Sequence, residues 1–98
     1  MLGINCGSGQ RRFDTKEGWV NLDLTVRPPE QVPDVQADAR ALPFASGCAD
    51  YAVCHHLYEH FHLGEADGII KEAHRVLRYG GSLIVTCPDM KKLAARWL

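Results

Sequence analysis

The run Leu2-Gly3-Ile4-Asn5-Cys6-Gly7-Ser8-Gly9 carries an apolar stretch into a glycine-rich turn. Trp19-Val20-Asn21-Leu22-Asp23-Leu24 carries a second apolar stretch into a carboxylate. This pairing suits a nucleoside-bearing cofactor. Glycines let backbone approach a ligand closely, and a carboxylate accepts hydrogen bonds from two ribose hydroxyls.

A second group is His56-Leu57-Tyr58-Glu59-His60, next to His55. On a helix, His56 and His60 share a face, and the spacing matches the H-x-x-E-H pattern of a zinc hydrolase class. That chemistry needs a long buried helix and a further ligand. This segment is short, and it follows an apolar strand. Metal ligation is therefore not expected, and an imidazole base acting near neutral pH is the alternative use of His55, His56 or His60.

These residues must be positioned by the elements around them. Near-continuous apolar runs predict strands at Leu2–Asn5, Trp19–Leu24, Val35–Ala37, Tyr51–His55 and Ser82–Cys87, as for strands covered on both faces. From Glu65 to Arg78, Ile69, Ile70, Ala73, Val76 and Leu77 form one helical stripe, which Gly80-Gly81 is expected to stop. A second helix is expected from Asp89, with Met90, Leu93, Ala94 and Trp97 on its apolar side. Pro28, Pro29 and Pro33 make 25–34 a loop, and the polar segment 10–18 is a loop or a single helical turn. Strand, crossover and parallel strand is the architecture this order implies.

The chain has 98 residues and a net charge of −1, which bounds it to one domain and argues against a nucleic-acid surface. Arg11, Arg12, Arg27 and Arg40 are scattered and read as solvated. The cysteines Cys6, Cys48, Cys54 and Cys87 form no C-x-x-C pair, which fits a reducing cytoplasm. No apolar run is long enough to span a membrane as a helix, and the first strand leaves no room for a signal peptide. Both ends look cut, as in a truncated or very small version of a larger fold.

Four features stand in order: the turn Asn5–Gly9, Asp23, Asp38-Ala39-Arg40-Ala41-Leu42-Pro43-Phe44, and the stretch from Tyr51 through Glu59-His60 to Arg75-Val76-Leu77-Arg78-Tyr79-Gly80-Gly81. Together they resemble the class I S-adenosylmethionine-dependent methyltransferases, from Leu2 to about Asp89. The resemblance implies an α/β, Rossmann-like, mostly parallel sheet of about five strands in the order 3-2-1-4-5, lacking the usual last two. It implies one S-adenosylmethionine-binding domain over residues 1–98. Asn5, Cys6, Gly7 and Gly9 would wrap the methionine part of the cofactor. Asp23 would hold the ribose, with Leu24 against adenine. Asp38 and the Ala39 N–H would meet the adenine edge, and His55 would line the sulfonium region. Leu42-Pro43-Phe44 reads as packing.

Two departures from the family pattern stand out. Gly3 takes the place of the strand-one acid, and Asn5 that of the first turn glycine, so weaker binding is expected. Lacking its neighbours, the fifth strand would be an exposed edge, covered by a second copy, a partner or the C-terminal helix. The methyl acceptor is not legible. The alternatives are a catalytically silent cofactor-binding fragment working through a partner, and a dinucleotide-binding oxidoreductase half.

Overall fold

The computed structural model describes residues 1–9, 12–55, 64–86 and 92–96. Its strands are β1 (Gly3–Cys6), β2 (Trp19–Asp23), β3 (Val35–Gln36), β4 (Ala49–His55), β5 (Leu77–Thr86) and β6 (Lys92–Arg96). Among the described residues one α-helix, α1 (Ala66–Val76), precedes β5. The sheet order is β3-β2-β1-β4-β5-β6. The first five strands run parallel, in the order the sequence implied, and β6 is antiparallel to β5.

Strand alternation divides the sheet into two faces. Ile4, Cys6, Leu22, Ala52, Cys54 and Leu83 pack with Ile69, Ala73 and Val76 of α1 in one core. The helical stripe is therefore what anchors α1. Burying Ile69 or Val76 contributes roughly 1.5–3 kcal/mol each. Leu42 is buried in the same cluster and Phe44 packs against it, as expected of the Leu-Pro-Phe segment.

Gly3, Asn5, Trp19, Asn21, Tyr51 and Val53 belong to the other set of strand positions. Here the described part of the crossover from β1 to β2 holds one 3-10 turn, Thr15–Glu17, capped by Asp14, whose carboxylate accepts from the Lys16 N–H. Aromatic side chains meet in its place. The Phe13 and Trp19 ring centroids lie 4.8 Å apart, edge to face, and Trp19 and Tyr51 lie 6.1 Å apart. Tyr51 remains 40% exposed, so it packs at the margin rather than in the core.

The helix ends two residues earlier than its stripe predicts. Leu77 is already extended and pairs with Ala49, while the next pairs are Tyr51 with Ser82 and onward. Residues 78–81 thus bulge opposite Asp50 alone. Gly80, at φ +82°, makes that bulge, and a Cβ at Gly81 would lie 2.9 Å from the Arg78 carbonyl oxygen. Gly80-Gly81 therefore shapes the strand instead of stopping the helix.

The C-terminal helix is corrected as well: Lys92–Arg96 is a strand, paired from Thr86 with Lys92 to Ser82 with Arg96. Its ladder satisfies the backbone groups that β5 would otherwise leave open. Over Ser82–Thr86, β5 is not a free edge for a second copy or a partner. Asp89, Met90 and Trp97 lie outside the described residues. No described helix is long and apolar enough to cross a membrane.

Candidate functional site

A cleft of about 220 Å³ opens where β1, β2 and β4 end, bordered by the segment after β3 and the start of α1. Ligands settle at this end of a parallel sheet, where strand order reverses around the first strand. Cys6 and Gly7 line it from β1, Leu22, Asp23 and Leu24 from β2, and Cys54 and His55 from β4. Ala37, Asp38, Ala39 and Arg40 line it from the segment after β3, and Glu65 and Ile69 from the start of α1.

The glycine turn is held against β2. The Gly7 and Ser8 N–H groups both donate to the Leu22 carbonyl oxygen, at 2.8 and 3.1 Å. The Gly9 N–H donates to Asp23 Oδ2 at 2.8 Å, and the Thr25 N–H donates to Asp23 Oδ1 at 3.0 Å. Gly7 and Gly9 sit at φ +68° and +51°, where side chains are strained. The acid at the end of β2 is therefore anchored to the turn from which the cleft opens.

Asp38 holds an Asx turn. Its Oδ1 accepts from the Arg40 N–H at 2.9 Å, and its Oδ2 from Arg40 Nη2 at 2.6 Å. That hydrogen bond, with the charges of Asp38 and Glu65, raises the Arg40 pKa above its ordinary value. Arg40 is exposed, as expected of a solvated arginine, and it also stands on the cleft wall, its stem passing Gly68 of α1. The loop is fastened to α1 from behind. Glu72 Oε1 accepts from the Leu42 N–H at 2.7 Å, and Arg75 donates to the Leu42 and Phe44 carbonyls at 3.0 and 2.9 Å.

Cys6 and Cys54 face each other in register at the cleft floor, both buried. A hydrogen bond with Cys54, then burial, pushes the Cys6 thiol well above its usual range. It stays protonated and is no nucleophile.

Cys6, Gly7, Asp23, Leu24, Asp38, Ala39 and His55 all line this one cleft. Gly9 reaches the site through Asp23. Asn5 does not line the cleft. It is a fully buried β1 residue whose side chain bonds Asn21 and His55. At Gly3, where an acid was missed, a Cβ would overlap the Trp19 indole, so no larger side chain has room there.

Leu22, Ala37, Arg40, Cys54, Glu65 and Ile69 were not foreseen. Cys54 follows from strand register, and Arg40 from the Asx turn two residues earlier. Glu65 and Ile69 need the docking of α1. His56, Glu59 and His60 lie outside the described residues. Among the described residues, no cluster of three or more His, Cys, Asp or Glu could hold a metal.

A family model described as a methyltransferase domain matches residues 4–85. Among solved structures, a SAM-dependent methyltransferase of Thermotoga maritima is 25% identical, with a TM-score of 0.62 over 86% of this chain and 42% of its own. One from Methanosarcina mazei is 20% identical, with a TM-score of 0.64 over 86% and 50%. The Burkholderia thailandensis 1,6-didemethyltoxoflavin-N1-methyltransferase, solved with bound 1,6-didemethyltoxoflavin and S-adenosylhomocysteine, is 21% identical, with a TM-score of 0.64 over 97% and 49%. The chain spans half the length of these relatives or less. No curated protein matches it. With 4–85 matched by the family model and the same fold in these structures, the chain belongs to the methyltransferase-domain family.

Proposed function

We propose that this cleft binds S-adenosylmethionine and that the chain serves methyl transfer to an acceptor whose identity the site does not reveal. The carrying observation is the Asp23 carboxylate, tied to the Gly9 N–H at 2.8 Å and lining the same cleft as Asp38 and Ala39. In this reading the turn from Cys6 to Gly9 wraps the methionine part, and Asp23 accepts from the ribose hydroxyls. Leu24, a 59% exposed apolar side chain at the rim, and Ala39 flank the adenine, whose edge meets Asp38. His55 borders the sulfonium region.

The donor set fits the group. One fixed carboxylate serves the hydroxyls, open glycine backbone serves the amino-acid part, and an uncharged apolar floor lies beneath. When bound, the cofactor supplies an electrophilic methyl group on a sulfonium. The chain's own residues contribute proximity and alignment, and they keep water from the floor of the cleft. Residues 1–98 acting as one cofactor-binding domain, and a cytoplasmic setting, belong to the same proposal. The unbridged Cys6 and Cys54 support the latter.

A second reading is that the chain binds the cofactor without turning it over alone. Its favouring observation is length, since it covers 42–50% of the relatives named above. Calorimetric titration with S-adenosylhomocysteine, with NAD as control, tests the proposal. Saturable binding of the first and none of the second is expected. A folded chain that binds neither, or only NAD, overturns it. Cofactor binding without methyl transfer across a panel of acceptors leaves the second reading.

A further inference from the structure

Two thiols stand side by side at the floor of the cleft. Cys6 of β1 and Cys54 of β4 are direct partners in the parallel ladder, so their side chains leave the sheet on the same face. That face is the one α1 covers, because both pack in the core cluster with Ile69, which itself lines the cleft. Cys6 is 3% exposed and Cys54 2%, and the two thiols share a hydrogen bond. No disulfide joins them. Nothing in the proposed methyl transfer uses either one.

Spacing decides what such a pair can hold. Neighbouring strands lie about 4.8 Å apart, whereas an unstrained disulfide wants its two Cβ atoms about 3.8 Å apart. In-register partners on parallel strands are therefore too widely spaced for a relaxed disulfide. An ion held in line between two thiolates sets its sulfurs at about twice a metal–sulfur bond of about 2.3 Å, which is close to the spacing of the ladder. Coordination number narrows the choice. Among the described residues no group of three or more His, Cys, Asp or Glu could hold a metal, so the four ligands of zinc are not assembled there. A soft ion satisfied by two thiolates remains. Charge narrows it further. The core cluster around the thiols is apolar, and Arg40 on the cleft wall is already paired with Asp38. Two thiolates neutralise a divalent ion, but with a monovalent ion they leave a negative charge in this apolar floor, which is costly.

We propose that Cys6 and Cys54 form a two-coordinate site for a soft divalent ion of the mercuric kind, bound as a neutral dithiolate at the floor of the cleft. Supplied as mercuric chloride, the ion exchanges both chlorides for sulfur. Two S–H bonds break, two mercury–sulfur bonds form, and two protons and two chloride ions leave to solvent. No electron is transferred. The ion site does not depend on what else the cleft takes. Since both thiols line the cleft, a bound ion also alters the floor on which another ligand would rest. This second half rests on the reading of the cleft as a S-adenosylmethionine site.

The test adds mercuric chloride, one ion per chain, to the unaltered 98-residue chain and to a chain carrying Cys48→Ser and Cys87→Ser, which keeps only this pair of thiols. A competing monothiol is present at about 1 mM, because two thiols held together by the fold outcompete separate ones at such concentrations. Native mass spectrometry should show both chains as monomers that gain one ion, lose two protons and carry no attached monothiol. X-ray absorption should show two sulfur ligands at about 2.3 Å. Loss of the ion to the monothiol, a third ligand, or a dimer bridged by the ion overturns the proposal, and the unaltered chain alone gives these readouts. Cys6→Ser and Cys54→Ser should each hold the ion at least about 100-fold less tightly. A folded single variant that holds it as tightly as the unaltered chain overturns the pair.

S-adenosylhomocysteine is then titrated into the loaded and unloaded chains. Binding to the loaded chain should be about tenfold weaker. Equal binding overturns the second half of the proposal. If the ion is retained but neither form binds S-adenosylhomocysteine, the reading of the cleft has failed and the dithiol site stands.

Discussion

The indole of Trp19 lies across Gly3, so closely that a Cβ at residue 3 would sit 2.6 Å from Cζ3 of the ring. Residues 3 and 19 are direct partners in the β1–β2 ladder. The glycine is thus the counterpart of a large aromatic in the β1–β2 ladder.

Gly3→Ala should therefore lower stability by about 1–3 kcal/mol through overpacking. Gly3→Asp should cost at least as much and should not tighten S-adenosylhomocysteine binding. Urea midpoints and calorimetry on the two variants check both statements. A tighter-binding Gly3→Asp chain would mean that the acid was missing from the site after all.

Asp23 uses one oxygen for the Gly9 N–H and the other for the Thr25 N–H. Charge-assisted hydrogen bonds of this kind are worth about 1.5–3 kcal/mol. Asp23→Ala should weaken S-adenosylhomocysteine binding roughly 10- to 100-fold. Asp23→Asn keeps the volume but offers one acceptor atom in place of two, and should fall between that variant and the unaltered chain. Titration of the three chains side by side gives the order.

Stability should decline in acid. Burial alone would raise the Asp34 carboxyl, but hydrogen bonds from Arg12 and Asn21 outweigh it and hold the pKa below its usual value. The Leu2 N–H and then Arg78 do the same for Asp50, and Arg75 for Glu72. A depressed carboxyl contributes stability that is fully present above its unfolded value, about pH 4. That contribution is lost as pH falls through the lower, folded value. Urea midpoints measured from about pH 7 down to about pH 2.5 should fall across this window. The profile of Asp34→Asn should be shallower, with a lower plateau at neutral pH.

Arg75 ties the wall of the cleft to α1 without touching its interior. Arg75→Ala should release the Leu42 and Phe44 carbonyls and lower stability, and should weaken S-adenosylhomocysteine binding several-fold by loosening the Asp38–Ala39 side. Arg75→Lys should recover little of either. An ammonium lacks the fork that spans two carbonyls and Glu72 together. Hydrogen exchange at 38–44 would show the release directly.

Thiol reactivity should divide the cysteines. Cys48 is exposed, while Cys6 and Cys54 are buried against each other. An aromatic disulfide reagent should modify Cys48 rapidly, and Cys6 and Cys54 only as fast as the chain unfolds. Peptide mapping by mass spectrometry distinguishes them. Rapid labelling of Cys54 in the folded chain would contradict the buried pair.

The residues that alternate or repeat cleanly were legible. Ile4, Leu22, Ala52 and Leu83 mark their strands, and Ile69, Ala73 and Val76 mark a helix that docks on them. The turn glycines and Asp23 were legible because positive φ and a strand-end acid leave residue-type signatures. What escaped depends on contacts between distant segments. Leu93 and Ala94 fit a helical stripe, but the open backbone of β5 makes the strand. Gly80-Gly81 looks like a helix stop, but the bulge opposite Asp50 uses it. Asn5 looks like a damaged turn until Asn21 and His55 come within hydrogen-bonding distance.

The strand near the centre of the sheet, β1, is also the earliest in sequence of the described strands. Its neighbour on one side is β2, but on the other it waits for β4, and the Leu2 N–H reaches the Asp50 carboxylate across a separation of 48 residues. Closing so long a loop costs entropy before the ladder repays it. On a ribosome, β1 and β2 emerge with an unpaired edge and stay so until 49–55 are synthesised. The β1 ladder is therefore complete only once β4 arrives, and a nascent chain stalled before it presents an open strand to its neighbours.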